Sequence, residues 1–182
     1  MNLSRAPLAA FAAVSGTLAL LGLVSLNTGA ALPLDIPLGL TPGVDEAAFK
    51  ALAPPADLPN AEAKARLAIR LSPYQNNARL RLAYIDTLNA GRLTNIGEAE
   101  FRRSYDLLPI DADVAAWRIK FGLEHWQELT PTSREAVYRE AMAFSKVGSH
   151  DVDVPTILES ISNPSGRLAA ALWRQSLQPN AR

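Results

Sequence analysis

The stretch Asn60-AEAKARLAIRLSPYQNNARLRLAYIDTLNAGRLTNIGEAEFRRSYDLL-Pro109 decides the fold. Asn60 is placed to cap a helix from Ala61 to Leu71, and Ser72-Pro73 ends it, because a proline ring disfavours the helical conformation of the residue before it. Asn76 or Asn77 starts a second helix. In it Leu80, Ala83, Tyr84, Thr87 and Leu88 recur at i, i+3, i+4, i+7 and i+8, the spacing of one buried face. Ala90-Gly91 closes that helix, with Gly91 as the left-handed cap. A third runs from about Ile96 to Leu108 and stops at Pro109. No stretch alternates with period two for long enough to make a strand, so the expected class is all-α.

Toward the C-terminus the helical pattern continues. Asp111 or Asp113 caps a longer helix reaching Trp126 or Leu129, and Thr130-Pro131 opens another to about Lys146 with proline in its first turn. Val147 to Asp153 reads as a loop. Pro155 to Ile161 and Pro164 to about Leu177 read as two closing helices.

Toward the N-terminus the character changes twice. From Ala31 to Asn60 the chain holds Pro33, Pro37, Pro42, Pro54, Pro55 and Pro59, a semi-extended spacer with room for a short helix from Asp45 to Leu52. Before it, APLAAFAAVSGTLALLGLVSL runs from Ala6 to Leu26 without a charge. Twenty-odd apolar residues at ~1.5 Å each span a hydrocarbon core of about 30 Å. Arg5 is the one flanking cation, with Asp35, Asp45 and Glu46 beyond, which keeps the N-terminus cytoplasmic and exports the rest. The run exceeds the apolar core of a cleaved signal peptide, which favours a retained anchor, yet Thr28-Gly29-Ala30 supplies small residues where a peptidase could cut. A buried hairpin is the third reading. The expected organisation is an N-terminal signal-anchor over residues 1–30, a Pro-rich linker over 31–60 and a helical domain over 61–182.

Charge is balanced across the 182 residues, 18 Lys and Arg against 18 Asp and Glu, so no global field recruits nucleic acid. There is no cysteine, which excludes disulfides, zinc–thiolate sites and thiol nucleophiles.

Within the deciding stretch a pattern repeats. Ala61, Ala65, Ala68 and Pro73 recur as Gly97, Phe101, Ser104 and Pro109, offset by 36 residues, with Leu71 matching Leu107. This resembles the second helix of a tetratricopeptide repeat, where small residues let paired helices approach and proline ends the helix before the next unit. The first-helix signature departs from the family: Leu80, Ala83 and Tyr84 stand only roughly where it has Trp, Leu-Gly and Tyr, and the following unit has Trp117 and Phe121 but lacks its closing proline. An irregular antiparallel bundle is the alternative. Signal-anchor, spacer and short repeat array together also resemble small accessory proteins of bacterial envelope polysaccharide assembly.

Few constellations point to chemistry. Trp117 and Phe121, four apart, share a helix face, and Trp126 is turned about half a circle away, placed either in the core or capping an exposed groove. His150 beside Asp151 and Asp153 offers too few ligands for zinc and lacks the glycine and distal glutamate of a calcium loop. Glu98, Glu100, Asp111 and Asp113 sit near helix starts, where carboxylates cap free N–H groups. Neither a metal nor a cofactor is expected.

If the units superpose, the period pairs Arg79 with Ala115, Leu82 with Arg118 and Asn89 with His125. Arg79, Asp86, Asn89, Arg118, His125 and Trp126 are then the candidate contacts for a protein partner. The leading expectation is a non-enzymatic periplasmic scaffold, held in the bacterial inner membrane by Ala6 to Leu26, that serves assembly or export of an envelope polysaccharide. Two alternatives stand beside it. One is an accessory subunit of a membrane complex, packing through Ala9, Ala10, Ala13 and Gly16 of the anchor. The other is a glycan-acting enzyme with its carboxylates in a helical cleft.

Overall fold

The computed structural model describes residues 44, 48–53, 56–147 and 152–177. Every regular element among them is a helix: α1 (Leu58–Leu71), α2 (Asn76–Ala90), α3 (Asn95–Leu107), α4 (Ala115–Glu124), α5 (Pro131–Val147), α6 (Val154–Glu159) and α7 (Pro164–Leu177). No helix among these residues is long and apolar enough to cross a membrane. The expected anchor at Ala6 to Leu26, the small residues at Thr28 to Ala30 and the His150–Asp151 pair lie outside the described residues, as does most of the spacer. Of the expected helix from Asp45 to Leu52, residues 48–50 are helical, as is Val44 just before it.

The chain divides into two compact units, with the boundary between Ala78 and Arg79. In the first, Asp57 rather than Asn60 caps α1. Its carboxylate accepts the Asn60 N–H at 3.2 Å, and proline occupies the first turn, where no N–H is needed. Ala61, Ala65 and Ala68 form the buried stripe of α1, and Ala68 packs with Val44 and Ala78.

The second unit begins within α2. Leu80 and Ala83 are buried as the spacing requires, but Tyr84 and Leu88 are 39% and 45% exposed, while Leu82 and Ile85 are buried in their place. The buried face of α2 is therefore turned from the one inferred. Gly91 closes the helix with φ +68°, the left-handed value that only glycine adopts without strain. Thr94 caps α3 by accepting the Ile96 N–H.

The repeated motif has a structural counterpart. Gly97, Phe101 and Ser104 are the buried stripe of α3, as the three alanines are of α1. Both helices end the same way. Ser72 (φ −142°, ψ 95°) donates its N–H to Ala68 O at 2.9 Å, and Leu108 (φ −144°, ψ 93°) donates to Ser104 O at 3.1 Å, each just before its proline.

Two expectations about α4 are corrected. No aspartate side chain caps it: Asp111 closes a preceding turn by accepting the N–H groups of Val114 and Ala115. Nor does it reach Trp126, because Arg134 of α5 takes the carbonyls of Trp126 and Gln127 at 2.9 and 3.2 Å and so satisfies a chain that has left the helix. Helix α4 is the hub of this unit. It packs against α5, α6 and α7, with Ile119, Leu123, Val137, Val154, Ala170 and Trp173 in one core.

Candidate functional site

A ladder of rings connects α2 with α4. On α4 the residues at i, i+4 and i+8 (Trp117, Phe121 and His125) share one face, as the helical period dictates. Trp117 stacks on Phe121 at 4.5 Å and 16°, and Phe121 meets the His125 ring at 4.6 Å. Tyr84 of α2 meets Trp117 edge-on at 6.5 Å. Phe121 belongs to the core, whereas Tyr84 and Trp117 are 39% and 37% exposed, with Leu88 one turn past Tyr84 and open to solvent. Burial holds the His125 imidazole below the usual histidine range, against the opposite pull of Glu128 and Glu124. Burial thus favours the neutral form of the ring that ends the ladder.

The six candidate contacts divide across the structure. His125 and the exposed Asn89 remain available on α2 and the end of α4. Arg79 is ion-paired with Glu100 at 2.8 Å. Asp86 accepts both the N–H and the hydroxyl of Thr94, at 2.7 and 2.8 Å, which ties the α2–α3 turn. A Cβ on Gly97 would come within 2.8 Å of the Asp86 Cβ, so the small residue of the repeat motif is required here. Trp126 does not cap a groove. It is half-buried edge-on against Trp173 at 5.4 Å, with the Arg134 guanidinium over its ring.

Arg118 is furthest from expectation, with side-chain exposure of 0%, as has Glu140. Its Nε donates to Glu140 Oε2 at 3.1 Å and its Nη2 to Oε1, while Nη1 reaches the carbonyls of Leu108 and Ser104 at 2.9 and 3.4 Å. Glu140 also accepts the Tyr105 hydroxyl at 2.9 Å and the Asp111 N–H at 3.2 Å. A cation at the C-terminus of α3 meets the negative end of its dipole, and its fork of donors serves the Leu108 carbonyl and adds to the Ser104 carbonyl, which already accepts the Leu108 N–H. Burial pushes the Glu140 carboxyl up against the pull of Arg118, and burial with the neighbouring Glu140 raises the Tyr105 hydroxyl further. This cluster is an internal brace and not a contact surface.

The remaining carboxylates on these helices are committed as well. Glu98 accepts the hydroxyls of Thr130 and Ser133 at 2.7 and 2.6 Å and so fastens the start of α5 to α3. Glu124 accepts the Ser162 N–H and hydroxyl, both at 2.8 Å, and the Asn163 N–H at 2.9 Å, just ahead of α7. Burial would raise the Glu124 carboxyl, but these bonds together with Lys120 hold it below the ordinary carboxylate value. For a carboxyl lowered on folding, the stabilisation is full above the ordinary value and is lost as pH falls through the lowered one. Glu124→Gln should therefore flatten the acid-side fall in melting temperature followed by circular dichroism from neutral to acid pH. An acid limb identical to that of the native chain would show that the cap contributes nothing.

Among the described residues no three His, Asp or Glu side chains converge as metal ligands. Compared with protein-family models, curated proteins and solved structures, the chain finds no match in any of the three.

Proposed function

We propose that this chain is a membrane-anchored, non-enzymatic scaffold of the bacterial envelope, whose tetratricopeptide-like helices offer the Tyr84–Trp117 face to a protein partner on the periplasmic side. The observation that supports the reading is the pairing of exposed rings from α2 and α4. Large rings with few rotatable bonds make affinity at little entropic cost, and they are enriched among residues that dominate interfaces. Anchoring rests on the apolar run from Ala6 to Leu26, and periplasmic placement rests on Arg5 before it. The setting in polysaccharide assembly or export rests on the likeness of architecture alone. A binding role is favoured over a catalytic one because Asp86, Glu98, Glu100, Glu124 and Glu140 are each engaged in tying helices together.

Affinity capture of the full-length chain from its own membranes tests this. The native chain should resist extraction by alkaline carbonate and retain a protein partner. The Tyr84→Ala/Trp117→Ala chain should stay in the membrane but bind that partner about thirtyfold more weakly, the effect of losing ~2 kcal/mol at a binding hot spot. Equal recovery by native and substituted chains would remove the aromatic face from the account, and release by carbonate would remove the anchor.

A further inference from the structure

A second surface, built from other residues, lies between α6 and α7. The buried stripe of α7 is Gly166, Ala169, Ala170 and Trp173, at i, i+3, i+4 and i+7. Another stripe of the same helix, Arg167, Ala171 and Arg174, repeats the same period and lines a cleft of about 650 Å³. Leu158 and Ile161 also line this cleft and are almost wholly buried, whereas Leu168 on its other side is 66% exposed. The methyl group of Ala171 leaves room where a longer side chain would fill the cleft. Glu159 also lines it, so two guanidiniums face one carboxylate. Among the described residues neither Arg167 nor Arg174 has an ion-pair partner, unlike Arg79 and Arg118, whose guanidiniums are paired with carboxylates.

We infer that this cleft docks an acidic segment of another protein, with one leucine-sized side chain against Leu168 and two carboxylates on Arg167 and Arg174. Seven residues of helix separate the two cations by ~10.5 Å along the axis. A peptide in the polyproline conformation rises ~3.1 Å per residue with three residues per turn, so acidic side chains at i and i+3 fall ~9.3 Å apart on one side. Such a peptide matches both guanidiniums while its apolar residue enters the cleft between them. Arginine's planar fork suits carboxylates, and the concavity favours an inserted side chain over a flat bilayer surface. This docking role stands apart from the aromatic face.

The test uses the full-length chain in detergent and a fluorescent polyproline-type peptide with glutamates three residues apart around one leucine. Its partner probe carries lysines in place of the glutamates. Anisotropy should show the native chain binding the glutamate peptide with an affinity that falls as salt rises, and ignoring the lysine peptide. Arg167→Glu/Arg174→Glu should lose at least about tenfold toward the first and gain binding to the second, with an unchanged far-ultraviolet spectrum. Leu168→Ser should weaken the glutamate peptide without changing its salt slope. Binding to neither probe, or binding insensitive to charge reversal, would overturn the inference. It would also be overturned if the arginines proved to govern association with phosphatidylglycerol vesicles while leaving peptide binding untouched. Since Tyr84→Ala/Trp117→Ala should bind the glutamate peptide normally, failure here and failure of the aromatic face are separable.

Discussion

Arg118→Ala is expected to destabilise the chain by about 3–5 kcal/mol, the range for removing one member of a buried ion pair. The loss is large because of what stays behind. Glu140 would keep its carboxylate at zero exposure with a tyrosine hydroxyl and one backbone N–H as donors, and the Leu108 carbonyl would lose the guanidinium, while the Ser104 carbonyl would keep the Leu108 N–H. Each buried group left without a partner costs roughly 1–3 kcal/mol, more if charged. Glu140→Ala should be comparable, leaving a guanidinium with carbonyl partners only. Replacing both by apolar residues of similar volume, Arg118→Met with Glu140→Leu, should cost much less than either single change, because no charge is then stranded. Chemical denaturation of the native chain, the single substitutions Arg118→Met and Glu140→Leu, and their combination measures this. Single substitutions that together sum to the double would show that the two side chains do not act as a pair.

Gly166→Ala is expected to cost about 2–3 kcal/mol despite an intrinsic gain. In a helix, alanine is favoured over glycine by roughly 1 kcal/mol. Here the added Cβ would lie 2.7 Å from the carbonyl carbon of Leu123 and closer still to its oxygen. The obstacle is the backbone of α4, which cannot rotate away as a side chain does, so α7 would have to move outward. That would open the packing of Ala169, Ala170 and Trp173 in the shared core, and overpacking of this kind typically costs 1–3 kcal/mol or more. For a unit of this size the net loss corresponds to a fall in melting temperature of roughly 10 °C or more. A calorimetric trace unchanged from the native chain, or shifted upward, would contradict so close a crossing of α4 and α7.

The elements that could be read from the chain are those bounded by local chemistry. Pro73, Pro109, Pro131 and Gly91 stop or start helices through their own backbone restrictions, so α1, α2, α3 and α5 fall within a few residues of their expected limits. What escaped depends on partners far along the chain. The end of α4 is set by Arg134, which reaches back to carbonyls seven and eight residues earlier. The buried face of α2 is not fixed by the sequence, because Leu80, Ala83, Tyr84 and Leu88 fit one stripe while Leu82 and Ile85 fit another, and periodicity alone does not choose between them.

The same holds for the candidate contacts. The burial of Arg118 is not legible locally, because arginine is usually exposed and its partner Glu140 is 22 residues away. Yet the repeat carried a usable signal: the position matched to Arg118 is Leu82, an apolar residue that is itself buried. The shared face of Trp117 and Phe121, by contrast, followed from their spacing, since a four-residue interval on a helix needs no distant information. The contribution of Tyr84 required the crossing of two helices.

Photochemical crosslinking in living cells tests most directly the proposed docking of a protein partner on the Tyr84–Trp117 face. A benzophenone amino acid is introduced at position 117 of the full-length chain and, as control, at the exposed position 103 of α3. Irradiation should yield one discrete heavier adduct from position 117, weakened when Tyr84→Ala is added, and none from position 103. No adduct from position 117, or the same adducts from both positions, would contradict the account.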